Sequence, residues 1–166
     1  MSVEGVTLAC RLNFAESETM RRLAPAGEDW VIVNSCAVTS EAVRHTRQAI
    51  RRARRRRPDS RILVTGCAAA LDPASFAAMP EVDRVVGNAD KLSAFAGDSP
   101  SSRDCPRTAD DVMPSPVPAG FQGKVRSFVA VQTGCDYRCT FCSIWQARGA
   151  SRSFPFEAIR DAIARE

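Results

Sequence analysis

The stretch WVIVNSCAVTSEAVRHTRQAIRRARRRRPDSRILVTGC, residues 30–67, decides how the chain folds. Its two ends, WVIVNS and RILVTG, are short apolar runs rich in Val, Ile, Leu and Thr, the composition of buried strands. Between them, Val43, Ala49, Ile50 and Ala53 recur at helical spacing and leave a narrow apolar face on an otherwise polar segment. Thr39 or Ser40 is placed to cap that helix, Glu41 puts an acid in its first turn, and Pro58 stands just past its end. A strand, a helix and a strand in this order predict a parallel crossover unit. Each strand runs into a cysteine, Cys36 after the first and Cys67 after the second.

Moving outward, VEGVTLA from Val3 is a third strand-like run and it too ends at a cysteine, Cys10. FAESETMRRLA from Phe14 has helical character, which makes the alternation βαβαβ and predicts an α/β fold with a parallel sheet. The spacings from Cys10 to Cys36 and from Cys36 to Cys67 are 26 and 31 residues, about one strand-helix unit each. Beyond Cys67, DPASFAAM is weakly helical, DRVVGN from Asp83 is a short strand, and ADKLSAFAG is expected to be a closing helix. A first domain over 1–97 follows. Residues 98–124, rich in Ser, Pro and Asp, read as a linker. A third region, 125–166, begins with the strand-like VRSFVAVQT and closes with the helical FEAIRDAIARE, which carries Ile159 and Ile163 on one face and Pro155 near its start.

With 166 residues and 45% apolar content the chain can bury a real core. No apolar run approaches the length of a bilayer span and no leader-like segment opens the sequence, so no membrane partner and a cytoplasmic location are expected. In a reducing compartment seven cysteines point to metal or cluster ligation rather than to a disulfide framework. The net charge of +4 is concentrated in Arg44, Arg47, Arg51, Arg52, Arg54, Arg55, Arg56 and Arg57. That density suits nucleic-acid phosphates and equally suits a solvated helix face.

The densest chemistry lies in GCDYRCTFCSIWQARG, residues 134–149, where Cys135, Cys139 and Cys142 are spaced C-x3-C-x2-C. Soft thiolates favour iron-sulfur clusters or zinc. A closed zinc site wants a fourth ligand, which only a distant cysteine could supply, whereas three thiolates on a four-iron cluster leave one iron open to a small molecule. Cys10, Cys36 and Cys67 would singly be small buried hydrophobes. Together they fall at the carboxyl ends of neighbouring parallel strands, about 4.8 Å apart, where α/β sheets bind ligands.

The 134–149 stretch resembles the cluster-binding motif of the radical S-adenosylmethionine superfamily, and TLACRLN, NSCAVT and VTGCAAA resemble the three cysteine motifs of the methylthiotransferases within it. That resemblance implies two 4Fe-4S clusters. One would be held by Cys135, Cys139 and Cys142 and would bind S-adenosyl-L-methionine, with Phe141 near the cofactor's adenine; an auxiliary one would be held by Cys10, Cys36 and Cys67. It further implies radical insertion of a methylthio group, an electron donor such as flavodoxin or ferredoxin, and a sulfur source. NSCAVTSEAVRHTRQAIRRARRRRP and ARGASRSFP are most similar to the members acting on N6-threonylcarbamoyladenosine beside the anticodon, making the tRNA anticodon stem-loop the expected partner. Members acting on isopentenyladenosine or on a ribosomal-protein aspartate are the alternatives, and a non-catalytic iron-sulfur or zinc module is the alternative from another class.

The fold class expected is a parallel-sheet amino-terminal methylthiotransferase domain followed by the first βα unit of a radical-SAM barrel. A closed barrel takes about 250 residues, so the isolated chain is not expected to turn over. Trp145 stands where the family usually has proline, and Ala70 where it usually has glutamine. Asn13 and Asn34 match polar motif positions and are expected in turns. His45 is expected on a solvated helix face, and Arg148 and Arg152 in salt bridges or near bound carboxylates. Cys105 matches no motif.

Overall fold

The computed structural model describes residues 2–8, 10–95 and 128–164. The proposed linker and Cys105 lie outside them. The elements of the first part are β1 (Val3–Thr7), α1 (Arg11–Leu23), β2 (Trp30–Ser35), α2 (Ser40–Arg56), β3 (Arg61–Gly66), α3 (Cys67–Leu71), α4 (Pro73–Ala77) and β4 (Arg84–Val85). The four strands form one sheet in the order β1-β2-β3-β4, every pair parallel. The α/β reading of the sequence therefore holds.

Burial explains the composition of the strands. All six residues of β2 are buried, because the strand has neighbours on both edges and helices on both faces, where an unbroken apolar run replaces polar alternation. Val31 and Val33 pack with Ile62 and Val64 of β3 against Ile50 and Ala53 of α2 and Phe76 of α4. On the opposite face, Trp30, Ile32 and Leu63 pack on Met20 of α1. Strand periodicity thus splits the core into two layers around the sheet.

α2 starts as the sequence predicts: the Thr39 side chain accepts a hydrogen bond from the Ala42 N–H at 3.1 Å. Its arginines differ sharply in use. The Arg54 guanidinium donates to the carbonyls of Pro58, Ser60 and Glu81 at 2.8, 2.7 and 2.8 Å and to Asp83 at 2.5 Å. Arg57 pairs with Glu4 and Asp29 and donates to the Ser2 carbonyl. These two tie the helix end to the amino-terminal side of the sheet. Arg52 and Arg55 are exposed and make no ion pair among the described residues.

Two expectations are corrected and one element is new. α1 begins at Arg11, directly after Cys10, rather than at Phe14. Residues 88–95 are turns, not the predicted closing helix, with the Ser93 N–H bonded to the Asp90 carbonyl; the turns bring Lys91 inward while Leu92, Ala94 and Phe95 cover the α1 face. α3, which follows β3 without a loop, was not foreseen because CAAAL carries no periodicity to read.

The second part comprises β5 (Gln132–Thr133), α5 (Ile144–Arg148), β6 (Arg152–Ser153) and α6 (Phe156–Ala164). Within the strand expected from Val125, Phe128 forms an isolated bridge and Gln132–Thr133 pair as β5, antiparallel to an unforeseen β6. The expected terminal helix is present as α6.

Candidate thiolate sites

The first cysteine group is set by the sheet. Thr7, Asn34 and Thr65 stand in register on β1, β2 and β3, so these strands end level and their cysteines leave from one edge. Cys10 is exposed at the start of α1, Cys36 is half-buried just after β2, and Cys67, 8% exposed, opens α3. The close approach of β2 to β3 requires Gly66. Its φ is +95°, and a Cβ there would lie 2.3 Å from the Ser35 carbonyl oxygen.

The edge is braced by a buried polar network. Asn13 donates to the Ser35 carbonyl at 2.9 Å, and Asn34 donates to the Asn13 carbonyl at 2.9 Å and to Ser17 Oγ at 3.1 Å. Both asparagines are fully buried. The turn role expected for them is wrong: they cross-tie α1 to the end of β2, since a buried amide needs partners that local turns do not supply.

The second group sits on one loop. Cys135, Cys139 and Cys142 lie between Gly134 and α5, with the Cys142 N–H bonded to the Cys139 carbonyl. The loop is closed at its base, where the Cys135 N–H bonds the Gly149 carbonyl and the Ser151 N–H bonds Asp136 at 2.8 Å. At Gly134 (φ +77°) a Cβ would lie 1.9 Å from the Ala150 carbonyl oxygen. Trp145 has a definite role despite its departure from the family pattern: its ring N–H donates to the Cys139 carbonyl at 3.1 Å, and the Arg138 guanidinium lies over its ring. Phe141, 92% exposed, stands on this loop and is no core aromatic.

The structure brings the two groups together through α5. Ser143 Oγ donates to the carbonyl of Ala37, next to Cys36, at 3.1 Å. Asn88 Nδ2 donates to the Ala147 carbonyl at 2.7 Å and lies 3.9 Å from Cys67 Sγ. Arg148 donates to both Glu16 carboxylate oxygens at 2.9 and 3.0 Å and to Asn13 Oδ1 at 2.5 Å. Lys91 Nζ also pairs with Glu16 and donates to Asn88 Oδ1 at 2.9 Å.

This cluster is almost dry, so its electrostatics are strong. Burial pulls the Lys91 ammonium down to about 8 despite the opposing pull of Glu16. Burial works against charge on Glu16 and Arg148 too, but there it is outweighed. Glu16 is held below the usual carboxyl range by Lys91 and Arg148, and Arg148 is raised by Glu16, with Cys67 adding to it. Two cations, Lys91 and Arg148, share the one carboxylate of Glu16 beside Cys67. Lys91, Glu16 and Asn88 were missed in the sequence. Nothing in GNADKLSAF, with Asn88, Asp90 and Ser93 around the lysine, marked Lys91 as buried.

No three His, Cys, Asp or Glu side chains among the described residues form a ready-made metal cage. The donor chemistry nevertheless fits soft metal ligation. The Cys135 and Cys142 thiols make only single weak backbone contacts, at 3.9 and 3.4 Å, and Cys10 and Cys139 are exposed. His45 is half exposed and pairs with Glu41 within α2, as expected. No helix among the described residues is long and apolar enough to cross a membrane.

A parallel sheet releasing a cysteine from each of three strands, with a three-cysteine loop docked on that edge, defines an α/β protein with two groups of three cysteines. The chain belongs to the uncharacterized protein family UPF0004, whose pattern matches residues 3–87. It is 44% identical over 163 residues to the threonylcarbamoyladenosine tRNA methylthiotransferase MtaB of Rickettsia prowazekii, an alignment covering 94% of this chain and 38% of that relative. The MtaB protein of Bacillus subtilis is 36% identical, with 94% and 39% covered. The tRNA-2-methylthio-N(6)-dimethylallyladenosine synthase of Chlorobium phaeobacteroides is 29% identical, with 96% and 40% covered. The chain spans about two fifths of the length of these relatives and corresponds to their amino-terminal portion.

Proposed function

We propose that this chain is the part of a tRNA methylthiotransferase that carries both of its iron-sulfur sites, acting in the cytoplasm at C2 of N6-threonylcarbamoyladenosine beside the anticodon. The observation that carries this reading is the docking of the Cys135–Cys142 loop, through α5, on the sheet edge where Cys10, Cys36 and Cys67 emerge. Sulfur insertion at an unactivated carbon needs a radical source and a sulfur donor within one cavity. Identity to the two MtaB proteins exceeds that to the dimethylallyladenosine synthase, which favours the threonylcarbamoyl substrate over the isopentenyl one.

Cys135, Cys139 and Cys142 would hold one 4Fe-4S cluster and Cys10, Cys36 and Cys67 the other. With S-adenosyl-L-methionine and an electron from a flavodoxin or ferredoxin, these groups would supply the hydrogen-abstracting radical and, from an external sulfur source, the sulfur. The chain's own residues hold and orient. Trp145 fixes the Cys139 carbonyl, Gly134 lets the loop close on Ala150, and exposed Phe141 offers a ring face for the adenine to stack on. The apolar sheet and the buried Asn13–Asn34 network exclude water from the inner side of the first site.

Anaerobic reconstitution tests the metal assignment: about eight iron atoms and as many sulfides per chain are expected, and Cys67→Ala or Cys142→Ala should each lose about half. Stoichiometric zinc without iron overturns it in favour of a non-catalytic zinc module. Mass spectrometry of tRNA nucleosides from cells with and without the gene tests the substrate. Methylthiolated threonylcarbamoyladenosine should vanish on deletion, and its persistence overturns that assignment.

A further inference from the structure

Arg148 is an arginine almost out of solvent, with 6% of its side chain exposed, on a helix of only five residues. Such a helix has little stability of its own. Its place is decided by what it touches: besides Thr133 on β5, its anchors lie on, or in contact with, the segments that carry the cysteines of the first group. Arg148 reaches Asn13 and Glu16 on α1, which Cys10 opens. Ser143 reaches Ala37, next to Cys36. The Ala147 carbonyl meets Asn88, which also contacts Cys67. On the other side, Ser143 directly follows Cys142, and Arg148 sits one residue before Gly149, whose carbonyl holds the Cys135 N–H. Lys91, 2% exposed, grips the same carboxylate and Asn88. Arginine suits this position because its planar fork meets both oxygens of Glu16 in a bidentate geometry while also donating to Asn13, an arrangement the point-like ammonium of lysine does not match.

We propose that Glu16, Asn13, Lys91 and Asn88 form a buried latch for Arg148 that sets the spacing between the Cys135–Cys142 loop and the Cys10, Cys36 and Cys67 edge. Arg148 is a positioning residue in this role, and the consequence for sulfur transfer rests on the function proposed above. The latch itself does not depend on bound metal.

Short bis-maleimide cross-linking of the reduced, metal-free chain, mapped by mass spectrometry, tests it directly. Links between the groups, Cys36 to Cys142 in particular, are expected in the parent protein. In Arg148→Gln their yield should fall about tenfold while Cys139–Cys142 links persist, as expected when a charge-assisted bidentate pair is lost. Glu16→Gln should match it, and the double variant should be no worse than either single one. Arg148→Lys should give an intermediate yield and decides the matter if Arg148→Gln does not fold, with hydrogen exchange of the β2 amides as the folding control. Absence of links between the groups in the parent, or yields unchanged in Arg148→Gln or, where that variant is unfolded, in Arg148→Lys, overturns the latch. Iron analysis runs in parallel. A chain that takes up no iron yet shows the Arg148 dependence leaves the latch standing and removes the cluster reading, whereas normal iron uptake without that dependence does the reverse.

Discussion

Single residues carry much of the architecture. Gly66 shows how tightly the edge is built, because its left-handed backbone and the Ser35 carbonyl 2.3 Å from any Cβ leave no room for alanine. Gly66→Ala is expected to destabilise the fold by about 3 kcal/mol or more, read by denaturant melts, and on the proposed cluster assignment to lower iron uptake, read by iron analysis. Lys91 makes a pH prediction. In the unfolded chain it holds its proton to about 10.5, whereas in the folded chain it releases it at about 8. Between those values the unfolded state binds more protons, so stability gains from this group as pH rises through that window, by up to about 1.4 kcal/mol per pH unit. Comparing denaturant midpoints of the parent and Lys91→Met across pH 8–10.5 isolates the effect, which should be absent in the variant. The cysteine spacings were plain in the sequence, but nothing local marked Lys91 and Glu16 as partners 75 residues apart.

At the scale of elements, α2 was the most legible part of the chain. Its cap, its apolar face and its end at Pro58 are all local signals, and Thr39 does bond the Ala42 N–H. Thr39→Ala is expected to cost about 1 kcal/mol in a thermal melt. The arginine run was ambiguous for a physical reason: composition records charge but not the partners charge finds. Arg54 and Arg57 are structural ties, Arg44, Arg51 and Arg56 pair with Glu41, Glu81 and Glu4, Arg47 donates to Ser75 Oγ, and Arg52 and Arg55 remain. These two and Arg56 rim a groove of about 480 Å³ floored by Val6, Leu8 and Ala49. If tRNA phosphates meet this helix, Arg52→Gln with Arg55→Gln should weaken binding evenly across sequences and lower the salt dependence by about two charges. An unchanged slope in filter-binding assays assigns the run to a solvated face. The closing helix expected over ADKLSAFAG failed because tertiary pairing of Lys91 outweighed weak local preference.

Across the whole molecule, the two cysteine groups become one locus only through contacts of long sequence separation. Ser143 meets Ala37 across 106 residues and Arg148 meets Glu16 across 132. The sequence by itself determined the alternation of strands and helices, the three cysteines at strand ends and the compact C-x3-C-x2-C loop, because periodicity, capping and ligand spacing act over a few residues. The tertiary structure alone decided that Asn13 and Asn34 are buried braces, that Trp145 supports the Cys135–Cys142 loop and that Arg148 is buried against α1. Each of those outcomes depends on which polar groups are dehydrated together, and a buried charge or amide takes its role from whatever partner the fold brings within hydrogen-bonding reach.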